Sequence, residues 1–358
     1  MRTLLIMAGG TGGHVFPALA VAHDLRERGV EVVWLGTHSG IEARAVPAAG
    51  FDMEWVTIRG LRGKGVWGLL RTPVLVSVAM MQTLSVVLRR RPNAMLGMGG
   101  FVAGPGGFVA WILRRPLLIH EANAIAGLTN RLLAHLAQRV MIGFEGTFPA
   151  SGKVEFVGNP VRSEIAGLPE PERRLAGRSS RLRILIIGGS QGARLLNRVV
   201  PAAVAELYES SVPEIWHQSG RGNAAPVEAA YRTAGVDARV TEFIEDMASA
   251  YEWTDLVVCR AGAMTVAEVS AAGVAALFVP FAQAVGDHQA ANAQYLVERG
   301  AALMLREHEL TAERLCATLE ELRTDRRRIE HISHCARQLG RPNATSRVAD
   351  ICMEVLSA

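Results

Sequence analysis

Short apolar runs alternate with amphipathic segments along most of the chain. Residues 4–8 are apolar throughout, too few for a buried helix and right for a buried strand. They meet Gly9-Gly10-Thr11-Gly12-Gly13-His14, and residues 17–26 then place apolar side chains at helical spacing. Gly29 stands where a glycine closes a helix; 32–36 read as a second strand, 41–49 as a short helix and 51–58 as a third strand. Residues 95–98 and 117–123 continue the series. From 183–187 the pattern restarts, with strands near 214–217, 240–243, 256–259 and 276–280, a helix over 290–299 and a terminal helix over 344–356. Strand–helix alternation with continuously apolar strands predicts α/β architecture, parallel sheets covered by helices on both faces.

Two turns share one design. Gly9 to His14 follows the first strand, and Gly188-Gly189-Ser190-Gln191-Gly192-Ala193 follows the strand at 183–187. Glycines allow a tight turn and close approach of a ligand, and the helix behind offers unpaired N–H groups to a phosphate. In the second turn the Ser190 hydroxyl and the amides after it suit a pyrophosphate. Two such turns in 358 residues predict two nucleotide-type domains facing each other. The Asn159-Pro160 turn and the charged, proline-bearing stretch 170–180 mark the junction.

Composition narrows the function. Hydrophobic residues make up 49% and charged residues 20%, and net charge is +4. That is too mildly basic for a nucleic-acid-binding arm, and it suits anionic small molecules or an anionic membrane surface. None of the four cysteines forms a C-x-x-C pair, so neither a zinc site nor a disulfide framework is expected. No apolar run approaches the roughly 20 residues of a spanning helix, and the N-terminal run is short for a leader; a soluble or peripheral protein is expected.

Several chemistries are disfavoured at the turns. The first lacks the third glycine of a dinucleotide fingerprint, and the next strand ends in Leu35-Gly36-Thr37 without an acid. Gly60-Leu61-Arg62-Gly63-Lys64-Gly65 has the wrong spacing for a phosphate-binding lysine loop. Two other features favour a site. The glycine-rich stretch 99–107 after a strand reads as a loop approached by ligand. His120, Glu121 and Asn123 end a strand on the same sheet edge as His14, a convergence that suits a site. Farther on, Glu268 falls in the first turns of a helix, where its carboxylate can accept both hydroxyls of a ribose. Residues 59–81 set Arg59, Arg62, Lys64 and Arg71 beside Val66, Trp67, Leu69 and Leu70 and run on apolar to Met81. Composition alone favours a core-facing helix with a solvated basic loop there.

These motifs together resemble the GT-B glycosyltransferases, two Rossmann-like parallel-sheet domains facing across a cleft. Among them they resemble the bacterial enzymes that add N-acetylglucosamine (GlcNAc) to the lipid-linked muramyl-pentapeptide precursor of peptidoglycan. The resemblance rests on the two glycine turns, Gly97-Met98-Gly99-Gly100, His120-Glu121-x-Asn123, Gly158-Asn159-Pro160-Val161-Arg162 and Ala263-Met264-Thr265-Val266-Ala267-Glu268. It implies an acceptor- and membrane-facing domain over 1–162, completed by 343–358, and a UDP-GlcNAc-binding domain over 163–342. Ile244 would face the uracil, Glu268 the ribose, Ser190 the pyrophosphate and Gln289 the sugar, with Ala263, Met264, Thr265, Val266 and Ala267 beside them. Thr11, Gly12, Gly13, Asn123 and Arg162 would complete the donor site. The implied reaction is inverting transfer of GlcNAc to the muramyl 4-hydroxyl, with His14 as the preferred base and Glu121 as its rival, and with neither metal nor other cofactor. The implied partners are UDP-GlcNAc, the lipid-linked muramyl-pentapeptide and an anionic membrane surface met through residues 59–81, at the cytoplasmic face of the inner membrane, with no nucleic acid. The alternatives are a non-hydrolysing UDP-GlcNAc epimerase, which shares the fold but needs no lipid, and a non-catalytic nucleotide-sugar-binding scaffold, which would release no UDP when acceptor is added.

Overall fold

The computed structural model of the chain describes residues 2–58, 66–178, 181–189, 192–207 and 213–358, with side chains left out at 66–72 and 285. The chain divides into two units, Met1–Val161 with Asn343–Ala358, and Arg162–Pro342.

In the first unit, β1 (Thr3–Ala8), β2 (Glu31–Gly36), β3 (Asp52–Trp55), β4 (Ala94–Gly99), β5 (Leu117–Glu121), β6 (Arg139–Ile142) and β7 (Val154–Phe156) form one sheet. The order is β3-β2-β1-β4-β5-β6-β7, and every pairing is parallel. The helices between them are α1 (Gly12–Glu27), α2 (Glu42–Ala48), α3 (Val66–Arg90), α4 (Ala103–Ile112) and α5 (Leu128–Leu136).

The second unit repeats the plan. Its strands β8 (Arg183–Ile187), β9 (Glu214–Gln218), β10 (Ala238–Thr241), β11 (Leu256–Cys259), β12 (Ala275–Phe278) and β13 (Leu303–Met304) run in the order β10-β9-β8-β11-β12-β13. All of these pairs are parallel as well. Its helices are α6 (Ser163–Ala166), α7 (Pro171–Leu175), α8 (Arg194–Ala205), α9 (Ala224–Thr233), α10 (Met247–Trp253), α11 (Ala263–Ala272), α12 (His288–Val297), α13 (Ala312–Thr324) and α14 (Arg326–Leu339). The last helix, α15 (Ala344–Ser357), belongs to the first unit.

Period-two alternation builds the first core. Leu4, Ile6 and Ala8 pack on one side with α1 and the Val348, Ile351, Cys352 and Val355 face of α15. Leu5 and Met7 pack on the other side with α3, α4 and α5. Ion pairs from Arg28 to Asp350 and from Arg347 to Glu155 hold α15 in place. In the second unit Ile184 and Ile186 pack with α8, α9 and α13.

Three expectations need correction. Residues 103–107 are not loop but the first half of α4. Gly106 brings that helix onto the sheet and Gly107 brings it onto α5: a Cβ on Gly106 would overlap the Met7 sulfur, and one on Gly107 would stand 2.6 Å from Leu133. Helix α12 begins at His288, so Gln289 lies in its first turn and not in a preceding loop. Over Pro73–Arg90, α3 is long and apolar enough to cross a membrane. Its Ala79, Thr83, Val86 and Val87 are nevertheless buried in the first unit, while Val74, Val78, Met81 and Leu88 are exposed.

Candidate functional site

In each sheet the strand order reverses beside the first strand, between β1 and β4 and between β8 and β11. Turns at the carboxyl ends of such strands diverge to opposite faces and leave a crevice for ligand. Both glycine turns stand at these points.

In the first unit, Gly10 leads through Thr11, which caps α1 without a side-chain bond, to Gly12, Gly13 and His14 in the first helical turn. Thr11 and Gly13 are exposed. The turn after β4 presses against it. Gly99 has φ +107, and a Cβ there would overlap the His14 ring; one on Gly100 would overlap the Gly9 carbonyl. Glycine in the second stretch therefore admits another chain segment. The His14 Nδ1 is buried without a hydrogen-bond partner among the described residues. Burial pushes the His14 pKa below its usual value, with the Glu121 charge and the Met98 backbone pulling the other way.

Glu121 is buried and fully engaged. Its Oε1 accepts from the Asn123 N–H at 3.0 Å and the Asn123 amide at 3.2 Å. Its Oε2 accepts from the Gly127 N–H at 3.1 Å and the Asn130 amide at 2.9 Å. Four donors make this carboxylate the organiser of the loop after β5. The neighbouring His120 is buried, and its Nε2 donates to the Gly158 carbonyl at 2.9 Å. Desolvation lowers its pKa, so the ring is neutral with its proton on Nε2.

Glu42 is a residue that reading the motifs alone misses. Its side chain is fully buried at the start of α2 and has no cation beside it among the described residues. Oε2 accepts from the Gly10 N–H at 3.0 Å, and Oε1 accepts from the N–H and hydroxyl of Thr37 at 3.1 and 2.8 Å. Added Cβ atoms on Gly9 and Gly36 would stand 2.7 and 2.8 Å from it, and one on Gly40 would overlap it. Three otherwise unexplained glycines are the trace this carboxylate leaves in the sequence.

In the second unit, Glu268 lies in the second turn of α11. Its Oε1 accepts from Arg162 at 3.2 Å and its Oε2 from the Tyr251 hydroxyl at 3.1 Å. Burial raises its pKa, and Arg162 and Tyr251 oppose the rise. Ala263 and Val266 pack inward, while Met264, Thr265 and Ala267 are half-buried in the turns that carry Glu268. Ile244 is buried beside exposed Phe243. Gln289 accepts from the Phe281 N–H at 2.9 Å through Oε1. Arg260 and Glu307 pair at 2.5 Å, and Glu307 accepts from the Ala282 N–H at 2.9 Å, which fixes the loop after β12. Ser190, Gln191 and the cationic residues Arg59, Arg62 and Lys64 lie outside the described residues. Among the described residues no three His, Cys, Asp or Glu side chains gather as a metal site.

Comparison with known proteins gives this pair of sites a context. Residues 4–142 match the glycosyltransferase family 28 N-terminal domain, and residues 183–351 match its C-terminal domain. The UDP-N-acetylglucosamine--N-acetylmuramyl-(pentapeptide) pyrophosphoryl-undecaprenol N-acetylglucosamine transferase of Nitrosococcus oceani is 56% identical, over 99% of both chains. The crystal structure of Acinetobacter baumannii MurG superposes with TM-score 0.87 at 40% identity, covering 99% of this chain and 100% of that one. The UDP-GlcNAc 2-epimerase of Neisseria meningitidis superposes with TM-score 0.68 over 99% of this chain and 100% of its own, but at 12% identity it shares the fold alone.

Proposed function

This chain belongs to glycosyltransferase family 28, with the two-domain GT-B fold, and from that premise we propose that it transfers GlcNAc from UDP-GlcNAc to the 4-hydroxyl of a lipid-linked N-acetylmuramyl-pentapeptide. The observation that carries the mechanism is the contrast between His14 and Glu121. A base must have an unprotonated atom within reach of the acceptor hydroxyl. The neutral His14 ring keeps one, and its Nδ1 has no hydrogen-bond partner among the described residues. The Glu121 carboxylate has its acceptor sites filled by four donors. His14 therefore takes the hydroxyl proton, and Glu121 shapes the loop and holds a negative charge near the imidazolium that forms. Attack from the face opposite UDP inverts the anomeric carbon and gives a β linkage.

The second unit would hold the donor. Glu268 accepts from the ribose, the backbone at Ile244 faces the uracil, Ser190 meets the pyrophosphate, and Gln289, with its Oε1 bound to Phe281, offers its amide nitrogen to the sugar. Thr11, Gly12, Gly13 and Asn123 of the first unit, with Arg162, would complete the donor site. The α11 N-terminus and Arg162 stabilise charge on the departing UDP.

The lipid acceptor requires a membrane surface, and an apolar face on adjoining helices suits one. Val74, Val78 and Met81 of α3, Phe108, Trp111 and Ile112 of α4, and Leu128 and Leu132 of α5 are all exposed. Arg114, just past the end of α4, and Arg131 on α5 are exposed. Cations around apolar side chains match an anionic bilayer. The enzyme would thus work as a peripheral protein at the cytoplasmic face of the inner membrane. Over residues 73–81, the part of 59–81 whose side chains are described, Ala79 is buried while Val74, Val78 and Met81 are exposed, so a core-facing side and a side that suits a membrane can share one helix. The anomeric proton coupling of the product tests the reaction: a β linkage is expected, and an α linkage overturns inversion.

A further inference from the structure

We propose that Gln218 is the positioning residue that holds the diphosphate-binding turn of the second unit, and so sets affinity for the diphosphate part of a nucleoside diphosphate. This rests on the reading that the second unit holds the donor nucleotide. Gln218 is the last residue of β9 and is only 3% exposed. Its side-chain amide grips one residue of the turn at both ends. Oε1 accepts from the Gly189 N–H at 3.1 Å, and Nε2 donates to the Gly189 carbonyl at 3.0 Å. The same nitrogen lies 3.4 Å from the Glu242 carbonyl, which ties the clamp to the segment after β10.

The rest of the turn is built on that grip. The Gly189 carbonyl also accepts from the Gly192 N–H at 2.9 Å. A Cβ on Gly192 would overlap the Ser219 carbonyl, so the peptide after Gln218 is the floor of the turn. Gly189 itself has φ +75 and an exposed face. Gln218 thus holds Gly189 through both of its backbone groups and leaves the exposed side of that residue to a ligand. Amides that bind phosphate work only when their directions are fixed beforehand. An amide side chain is the group that can serve both an N–H and a carbonyl of one residue. A glutamate of the same shape would set an oxygen against the Gly189 carbonyl and release the turn.

The test compares two ligands on the full-length protein. Uridine reports on contacts at Glu268 and Ile244, neither of which bonds to Gln218, whereas UDP also reports on the turn. In Gln218→Glu the UDP Kd, from calorimetry, should rise at least tenfold, and the uridine Kd, from ligand-observed NMR, should stay within twofold. The KM for UDP-GlcNAc should rise with the UDP Kd while kcat at saturation changes less than threefold. Gln218→Met, similar in size and without polar atoms, should give the same split and serves if the glutamate variant does not fold. If both ligands weaken together, or UDP affinity is unchanged in a folded variant, Gln218 is only structural and the inference is overturned. A wild-type protein that binds uridine but gains nothing from the diphosphate also overturns it. One that binds neither overturns the donor reading itself.

Discussion

At the scale of single residues, buried charge and buried neutrality divide the labour. His14→Ala should lower kcat about 10²–10⁴-fold with little effect on UDP affinity. Because burial depresses the His14 pKa, kcat should persist below pH 6.5 and fall only where the ring protonates. Glu121→Gln removes the charge that favours the imidazolium, so it should move this acid limb to lower pH. Greater loss of kcat in Glu121→Gln than in His14→Ala would reverse the assignment of the base. Glu268→Ala should weaken UDP by about 1.5–3 kcal/mol, the range for hydrogen bonds to a charged group. Arg162→Ala should raise the pH at which UDP binding fails, since Arg162 opposes protonation of Glu268. His217 shows the same physics in the core. Bonded to Tyr231 and Asn197, it has its pKa pushed down to about 4. The unfolded chain takes up this proton near pH 6.5 and the native chain does not, so its stabilising effect is full above about pH 6.5 and lost progressively towards 4. Urea midpoints should fall between pH 7 and 5, and less steeply in His217→Gln. His14 was legible because glycines mark its turn. Glu42 and Gln218 were not, because each meets its turn across about thirty residues of sequence, and polar side chains at such separations leave no periodic signal.

At the scale of elements, the strands were legible and one helix was not. Continuous apolar runs identify buried parallel strands whatever lies between them. Four glycines and prolines in succession ordinarily break a helix, so 103–107 read as loop. In α4, close approach to the sheet at Gly106 and to α5 at Gly107 outweighs the helix penalty of about 1 kcal/mol for each glycine. Gly107→Ala should therefore destabilise the protein by about 1–3 kcal/mol despite its better helix propensity, since its Cβ meets Leu133 at 2.6 Å. Denaturant unfolding measures this, and a stabilised variant would refute the packing argument. The outer face of the same helix carries Trp111. Trp111→Glu with Leu132→Glu changes exposed side chains only and should leave the melting temperature nearly unchanged. It should abolish sedimentation with anionic vesicles and slow turnover on full-length lipid acceptor, while turnover on a water-soluble analogue survives. Equal loss on both acceptors would place this face elsewhere in the mechanism.

At the scale of the whole molecule, one plan is used twice: a parallel sheet, a strand-order reversal and a glycine turn at the reversal. The first copy gains its last helix from the end of the chain. The repeat was visible because both turns have the same glycine pattern. The return of α15 was expected only by analogy, since an amphipathic terminal helix does not name the sheet it covers. Two such sites fit a reaction with two substrates, a nucleotide sugar and an acceptor. Transfer that depends on the acceptor is the property that separates this reading from a scaffold and from an epimerase on the same fold. The direct measurement is release of UDP from UDP-GlcNAc, followed continuously, with and without a lipid-linked muramyl-pentapeptide. Expected is UDP equal in amount to acceptor added, and near-zero release without it. No release with acceptor present, or conversion of UDP-GlcNAc to its 2-epimer without acceptor, would contradict the proposed function.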